Sequence, residues 1–466
     1  MTTPPTAPPV RMSKAAVAAL AILAVAMGSL ESVVAPTLPL LQRELNMTPT
    51  EGALLNIVLA ITGALVAPIA GKFGDRYGGK RVLMLLAAIV ALGGLTSALA
   101  PNLPVLLIGQ ILQGAMVGSL PLSVIVLRKH LPQGEAKAAI GLVSGMLVGG
   151  SMVGLLVAGP VAESLSRHWM FALPTIVIIA VTLLTNKLLP ADAPGTSDGS
   201  RLDWPGLLLL CGVLCTLMLT LILAADAGSQ PLPFIALVVV LAAFVTGWIA
   251  VERRAAAPMI DLRMLVRPVV WKSCVVTFVI CLGTANGAYL VPQLLDVSGD
   301  GYGFGLSATA IGLILLPGAV ASTLAGPLGG IGERRFGPRT MTFVSTVMMA
   351  VALLGLAVAH DELWQVTLGK ALIALANGLC VTAMMTSVAS FVAENETGIA
   401  TSVILLARVT GGAVGGMLGG ALLTAQIPPG SHVPAESGFV TGFFIAGMTA
   451  ALCLFVVRTM NKGVKA

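Results

Sequence analysis

Apolar stretches long enough to cross a membrane dominate this sequence. A transmembrane helix needs about 20 apolar residues, and the chain offers such stretches between polar or Pro/Gly-containing breaks. Of its 466 residues, 57% are hydrophobic and 10% are charged, which leaves little for a water-soluble domain. We predict an all-α protein embedded in the lipid bilayer, with fourteen transmembrane helices near residues 15–38, 53–70, 82–100, 104–127, 138–160, 169–189, 206–225, 233–251, 269–291, 307–328, 340–359, 363–391, 398–425 and 438–457.

The positively charged residues fall in alternate loops between these stretches. If the N-terminus is cytoplasmic, 22 of the 26 Lys and Arg residues lie in cytoplasmic segments, while the opposite loops hold Arg43 and Arg167. Cytoplasmic loops of membrane proteins are enriched in Lys and Arg, so this partition predicts an even number of helices with both termini cytoplasmic. The richness in Ala, Gly, Val and Leu is typical of bacteria with GC-rich genomes. We therefore expect a multi-pass protein of a bacterial cytoplasmic (inner) membrane.

The composition also argues against several other classes of function. The formal net charge of +6 is explained by the basic loops, so we expect no nucleic-acid partner. The six cysteines form no C-x-x-C pair and the four histidines are scattered, so we expect neither a metal nor another cofactor. The sequence lacks a G-x-x-x-x-G-K-[ST] loop, so we expect the energy for any work to come from an ion gradient, with protons as our expectation, or from the substrate's own gradient. We predict that the chain is not an enzyme.

Two sequence patterns recur at nearly the same spacing. Residues 68–80 (PIAGKFGDRYGGK) align without gaps with residues 327–339 (PLGGIGERRFGPR), at an offset of 259. Transporters are often built from two homologous halves, so we predict two pseudo-symmetric six-helix halves separated by two extra helices. A second pattern, at an offset of 266, relates the glycines Gly145, Gly149, Gly150 and Gly154 to Gly411, Gly415, Gly416 and Gly420.

These repeats set the predicted organisation of the chain. Small residues at such spacing allow helices to cross closely, which is sufficient to explain the glycines. Helices that pack through bare backbone can also slide or rock. The predicted segments are a disordered cytoplasmic tail at 1–14, an N-terminal half at 15–190, a cytoplasmic linker at 191–205, two extra helices at 206–251, a second cytoplasmic linker at 252–268, a C-terminal half at 269–457 and a cytoplasmic tail at 458–466.

Several motifs resemble those of a known transporter family. The segment GKFGDRYGGKR at 71–81 is similar to the signature loop of the major facilitator superfamily. Residues 30–39 (LESVVAPTLP) and 407–415 (ARVTGGAVG) resemble motifs of its fourteen-helix drug:proton antiporters, and the likeness spans the whole chain. The sequence departs from these antiporters at Gln110, where the fourth helix usually has Arg, and at Gly150, where the fifth usually has Pro.

The resemblance carries expectations about function. It implies alternating access around a central cavity between the halves, and export of a lipophilic drug or small natural product by proton antiport. We expect the monomer to be the functional unit. It also implies that the signature loop is a cytoplasmic latch that holds the outward-open state. The alternative is that the cations of this loop only fix the topology. The residues of this loop are Gly71, Asp75, Arg76, Gly78, Lys80 and Arg81.

Three charged residues lie well inside the apolar stretches, away from their ends. An ionisable group in hydrocarbon is unfavourable unless it is paired or faces water, so each is a candidate functional residue. We predict that Glu31 binds the proton or another cation, the alternative being a structural ion pair with Lys370 or Arg408. Arg408 would pair with Glu31, line an anionic substrate site or bond to helix carbonyls. Lys370 lies nearer the outer face, and the alternative to a functional role is that its side chain extends to the membrane surface. Residues that would line the cavity, or form hydrogen bonds between helices, are Asn56, Gln110, Gln113, Asn286 and Asn377.

Two other functions remain open at this point. Because of the substitutions at Gln110 and Gly150, uptake or facilitated diffusion of a metabolite without proton antiport is the main alternative to export. A membrane-embedded enzyme is a remote alternative, since no catalytic domain, metal constellation or nucleophile motif supports it.

Overall fold

The computed structural model is an all-helical membrane fold. Twelve of its described helical segments, with residues Leu103–His130 counted as one, are long and apolar enough to cross a membrane. Near 206–225 and 398–425, where the sequence predicts two further spans, the chain is helical but many side chains lie outside the described set. Most of the predicted tails and linkers lie outside it too. The structure describes residues 12–190, 204–224, 231–254, 267–298, 302–391, 397–428 and 433–460.

Successive crossings run in opposite directions through the bundle. We call the end at which α1 begins the terminal face and the opposite end the far face. A 3₁₀ turn at Gly114–Gly118 joins α5 to α6. The helices are α1 (Lys14–Ser32), α2 (Val34–Leu45), α3 (Pro49–Tyr77), α4 (Gly79–Ala98), α5 (Leu103–Gln113), α6 (Ser119–His130), α7 (Gln133–Ser164), α8 (Arg167–Leu188), α9 (Trp204–Ala224), α10 (Pro231–Glu252), α11 (Pro268–Asp296), α12 (Ala308–Phe336), α13 (Pro338–Val358), α14 (Leu363–Phe391), α15 (Thr397–Ala425) and α16 (Glu436–Arg458).

The first predicted span is divided into two helices. The sequence predicts one helix over 15–38, whereas the structure interrupts it after Ser32, between α1 and α2. Pro36 and Pro39 explain the interruption, because a proline has no N–H to donate to the carbonyl four residues earlier and its ring clashes with that carbonyl. For Pro36 that carbonyl belongs to Ser32. The helix is therefore broken next to Glu31.

A sharp turn at the terminal face occurs once in each half. Gly78 separates α3 from α4 with a φ of 100°, and Gly337 separates α12 from α13 with a φ of 82°. Only glycine adopts such angles readily. Arg76 stacks on the aromatic ring that follows it at 5.4 Å, and Arg335 does the same at 5.3 Å. The segment 71–81 is thus helical on both sides of Gly78, and the offset of 259 relates two equal turns.

Closely packed glycines join equivalent helix pairs in the two halves. Gly150 and Gly154 of α7 lie against α1, and Gly411 and Gly415 of α15 lie against α11 in the same way. A Cβ atom at any of the four would fall 2.1–2.3 Å from a carbonyl oxygen of the neighbouring helix. This equivalence pairs Gly150 with Gly411, an offset of 261. The offset of 266 therefore differs from this packing by five residues, or about one and a half helical turns, because glycines repeat along both helices and can be aligned in more than one register.

The other four recurring glycines have different surroundings. A Cβ atom at Gly145 or Gly149 would meet no heavy atom within 4 Å. Gly416 and Gly420 instead face α3 of the opposite half, where a Cβ atom would lie 3.4 Å and 3.0 Å from its nearest atoms. The glycine pattern therefore combines packing within a half with contact between the halves.

Candidate functional site

A polar network at the far face joins the two halves. Gln42 of α2 donates from Nε2 to the Tyr289 hydroxyl (3.1 Å) and accepts at Oε1 from Gln293 (2.5 Å), both on α11. The Tyr289 hydroxyl in turn donates to the carbonyl of Pro49, where α3 begins. These side chains are shielded from solvent, and hydrogen bonds of this kind are strengthened by low polarity around them. The network therefore connects α2, α3 and α11 firmly.

The starts of α3 and α12 are each capped by the opposite half. Thr309 of α12 donates from its backbone N and from Oγ1 to the carboxylate of Glu163, at 3.0 and 2.6 Å. Thr50 of α3 donates from its backbone N to Oγ1 of Thr424 (3.2 Å), and the two hydroxyls lie 2.8 Å apart. The first N–H groups of a helix lack partners within it. Two equivalent contacts, one with a carboxylate and one with a hydroxyl, therefore bridge the halves.

A salt bridge at the far face also joins the halves. There, Nη1 of Arg43 lies 2.8 and 2.6 Å from the two carboxylate oxygens of Asp296, across the boundary between the halves. At the terminal face, two lysine contacts among the described residues stay within a half. Lys80 donates to the carbonyl of Leu189 (2.7 Å), and Lys272 donates to a carbonyl just past α16 (2.6 Å).

Glu31 and Arg408 face each other across the boundary between the halves. Both side chains are accessible, although Arg408 lies eleven residues into α15, or about 16 Å along a helix. Their charges attract each other, but no direct ion pair within 4.0 Å joins these two described side chains. Two accessible charges, one on each half, therefore lie deep within the helical bundle.

A short polar chain continues from Arg408 into the C-terminal half. Its guanidinium interacts with the thiol of Cys281 on α11. The Sγ atom of Cys281 lies 3.8 Å from Oδ1 of Asn377 on α14, within the distance of a weak sulfur hydrogen bond. Asn377 is partly exposed. Arg408 is thus positioned by neighbours in its own half while its charge acts on Glu31.

The remaining predicted cavity residues differ in exposure. Asn56 is exposed. Gln110 and Gln113 are 1% and 0% exposed, and Gln113 donates to the Ser97 hydroxyl at 2.7 Å. Asn286 is fully buried and lies 3.5 Å from the carbonyl of Gly415. In this conformation the last three amides are enclosed between helices, whereas Asn56 is open.

The predicted latch residues lie where α3 and α4 meet. Gly71 has open space around it, Arg76 and Arg81 are exposed, and Lys80 ties the start of α4 to the end of α8. The side chain of Asp75 lies outside the described residues. The latch therefore stays a prediction.

Sequence reasoning missed the contacts of the far face. Gln42 and Glu163 were not predicted as functional residues, because each lies near the end of an apolar stretch, where polar residues are common. Tyr289 is one of only three tyrosines, and its position inside a predicted span was the available signal. Among the described residues no cluster of three or more His, Cys, Asp or Glu side chains could hold a metal ion.

Several known transporters are similar to this chain in sequence or in fold. A multidrug efflux pump, LfrA of Mycolicibacterium smegmatis, is 26% identical over 90% of this chain and 82% of its own length. A uridine/deoxyuridine transporter of Lactococcus lactis is 28% identical over 72% of this chain and 71% of its own. Two curated relatives from Mycobacterium tuberculosis are longer, and the matched region spans 57% of their length.

The fold and the family agree. The crystal structure of a mutant nucleoside transporter, NupG, superposes with a TM-score of 0.71 at 12% identity, covering 96% of this chain and 100% of that one. The sequence profile of the Major Facilitator Superfamily matches residues 20–290 and 273–465. The chain therefore belongs to the Major Facilitator Superfamily and is a membrane transporter rather than an enzyme.

Proposed function

We propose that this transporter exports a lipophilic small molecule by proton antiport and alternating access. The observation that carries the proposal is the position of Glu31, an accessible acid beside a helix break that faces a cation of the opposite half. Interrupted helices are common at the binding sites of secondary transporters. Protonation of Glu31 would remove its attraction to Arg408 and so alter the balance between conformations.

The arrangement of contacts supports alternating access. The described contacts between the halves favour a state closed at the far face and open at the terminal face. In our proposal the chain has fourteen helices and sits in a bacterial cytoplasmic membrane, with both termini in the cytoplasm. The terminal face is then the cytoplasmic side, from which substrate enters the cavity. The functional unit is a monomer.

Drug susceptibility of a pump-deficient host tests the proposal. We expect the wild type to protect against compounds in a broad panel and Glu31→Gln, which cannot release a proton, to lose that protection at equal expression. Asp361→Asn is the matched control, because Asp361 is an exposed acid at the far face of the other half. Protection by Glu31→Gln equal to that by the wild type would refute the role of Glu31.

Uptake or facilitated diffusion of a metabolite is the second candidate. It is favoured by the uridine/deoxyuridine transporter among the relatives and by the substitution of the family's basic residue by Gln110. Energised inverted vesicles separate the two functions. Addition of an exported substrate dissipates the proton gradient in proton antiport, whereas a facilitated diffuser moves substrate and leaves the gradient unchanged.

A further inference from the structure

Lys370 occupies the position in the C-terminal half that Gln110 occupies in the N-terminal half. Each is the seventh residue after the start of its helix, Leu103 of α5 or Leu363 of α14, and each follows a glycine. The two preceding glycines pack in equivalent ways. A Cβ atom on the first would lie 2.2 Å from Ser97 near the end of α4, and one on the second 2.7 Å from Leu356 near the end of α13. The repeat therefore places an amide and an amine at matching sites.

The Lys370 side chain points away from lipid. Leu368 is 49% exposed on the outer side of α14, and Lys370 is two residues further on, a rotation of about 200°. Asn377, which belongs to the polar chain from Arg408, lies seven residues beyond Lys370 and therefore on the same face of the helix. Lys370 is itself partly accessible. An accessible side chain on the inner face of α14 is directed toward the interior of the bundle, on the same side as Asn377.

Lys370 has no partner among the described residues. No described acceptor lies within hydrogen-bonding distance of its ammonium group, and no charged side chain acts on it. With α1 and α2 taken as one crossing, the described charges more than six residues from the end of a crossing are Glu31, Arg408 and Lys370. The negative charge of Glu31 offsets the positive charge of Arg408. One positive charge is left over, and an uncompensated charge at such a depth requires a partner.

We propose that Lys370 binds an anionic group of the transported molecule, so that the substrate is a lipophilic compound carrying a carboxylate or a similar anion. The inference rests on the proposed function and narrows its substrate class. A substrate anion supplies the charge that the described residues around Lys370 lack, while the apolar walls of the cavity accept the lipophilic body. Glu31 and Arg408 remain available for coupling.

Three fluorescent probes with one dansyl-alkyl body test this inference. They end in a carboxylate, its methyl ester or an amine, and each is titrated against the purified protein in nanodiscs of zwitterionic lipid, which contain no anionic lipid. We expect the carboxylate to bind about tenfold or more tightly than the ester, as a charge-assisted hydrogen bond provides. Lys370→Gln should abolish this preference and Lys370→Arg should keep it. Lys187→Gln, at an exposed lysine of α8, is the matched control.

The outcomes separate this inference from the proposed export. A preference for the amine, no preference, no binding of any probe, or a carboxylate preference that survives in Lys370→Gln would each overturn the role of Lys370. If the wild type still protected cells against uncharged or cationic drugs in those cases, export would stand. Conversely, carboxylate binding through Lys370 without dissipation of a proton gradient in energised inverted vesicles would retain the anion site and refute proton antiport.

Discussion

Replacing Glu163 by Ala tests whether the far face is closed by helix caps that cross between the halves. The substitution removes both acceptors of Thr309, its backbone N–H and its hydroxyl. Loss of a capping side chain is unfavourable by about 1 kcal/mol. Glu163 is exposed, so this value applies rather than the larger one for buried charged hydrogen bonds. The equilibrium between the closed and opened start of α12 should shift about fivefold.

Hydrogen–deuterium exchange of the purified protein in nanodiscs measures this shift. Amide exchange reports the free energy of local opening, so the first turn of α12 should exchange about fivefold faster in Glu163→Ala. Glu163→Gln keeps one acceptor oxygen and should have a smaller effect. Asp361→Ala removes a far-face acid that does not contact α12, and serves as the control. Unchanged exchange in Glu163→Ala, or equal acceleration in Asp361→Ala, would show that Glu163 does not cap α12.

Two further substitutions test other contacts. Arg43→Ala should weaken the far-face closure by about 1 kcal/mol, because the side chain of Arg43 is 63% exposed while that of Asp296 is 16% exposed, between a surface and a buried ion pair. Exchange of the charges in Arg43→Asp with Asp296→Arg should restore amide protection near the ends of α2 and α11, and a failure to restore it would exclude a direct ion pair. Gly150→Ala places a Cβ atom 2.1 Å from a carbonyl oxygen of α1 and should destabilise the protein by about 1–3 kcal/mol. Gly149→Ala meets nothing within 4 Å, so equal thermal unfolding temperatures for the two variants would contradict the packing described.

The predictions that succeeded depend on strong periodic signals. Long apolar stretches predict helices directly, because lipid offers no partners for unpaired backbone groups. The motif that contains Gly78 and Gly337 was aligned correctly because both positions require a left-handed backbone. The interruption after Ser32 was missed, although Pro36 and Pro39 were visible, because prolines are tolerated in membrane helices when neighbouring groups satisfy the freed carbonyls.

Contacts between distant segments were much harder to predict than helices. Glu31 and Arg408 could be proposed as partners because few charges lie inside the apolar stretches. The capping of Thr309 by Glu163 joins residues 146 positions apart and leaves no periodic trace in the sequence. The alignment of the glycines was predicted wrongly for a related reason. Gly150 and Gly154 differ from Gly145 and Gly149 only in which face of α7 meets α1.

Differences between matching positions of the two halves point to function more directly than the positions themselves. A feature that the fold needs should recur in both halves, as the turns at Gly78 and Gly337 do. Charge does not recur in this way. Lys370 matches Gln110, and Glu163 matches Thr424, while the packing around each pair is equivalent. Since both halves adopt the same local structure with and without the charge, the fold does not require it, and its presence in one half points to binding or gating.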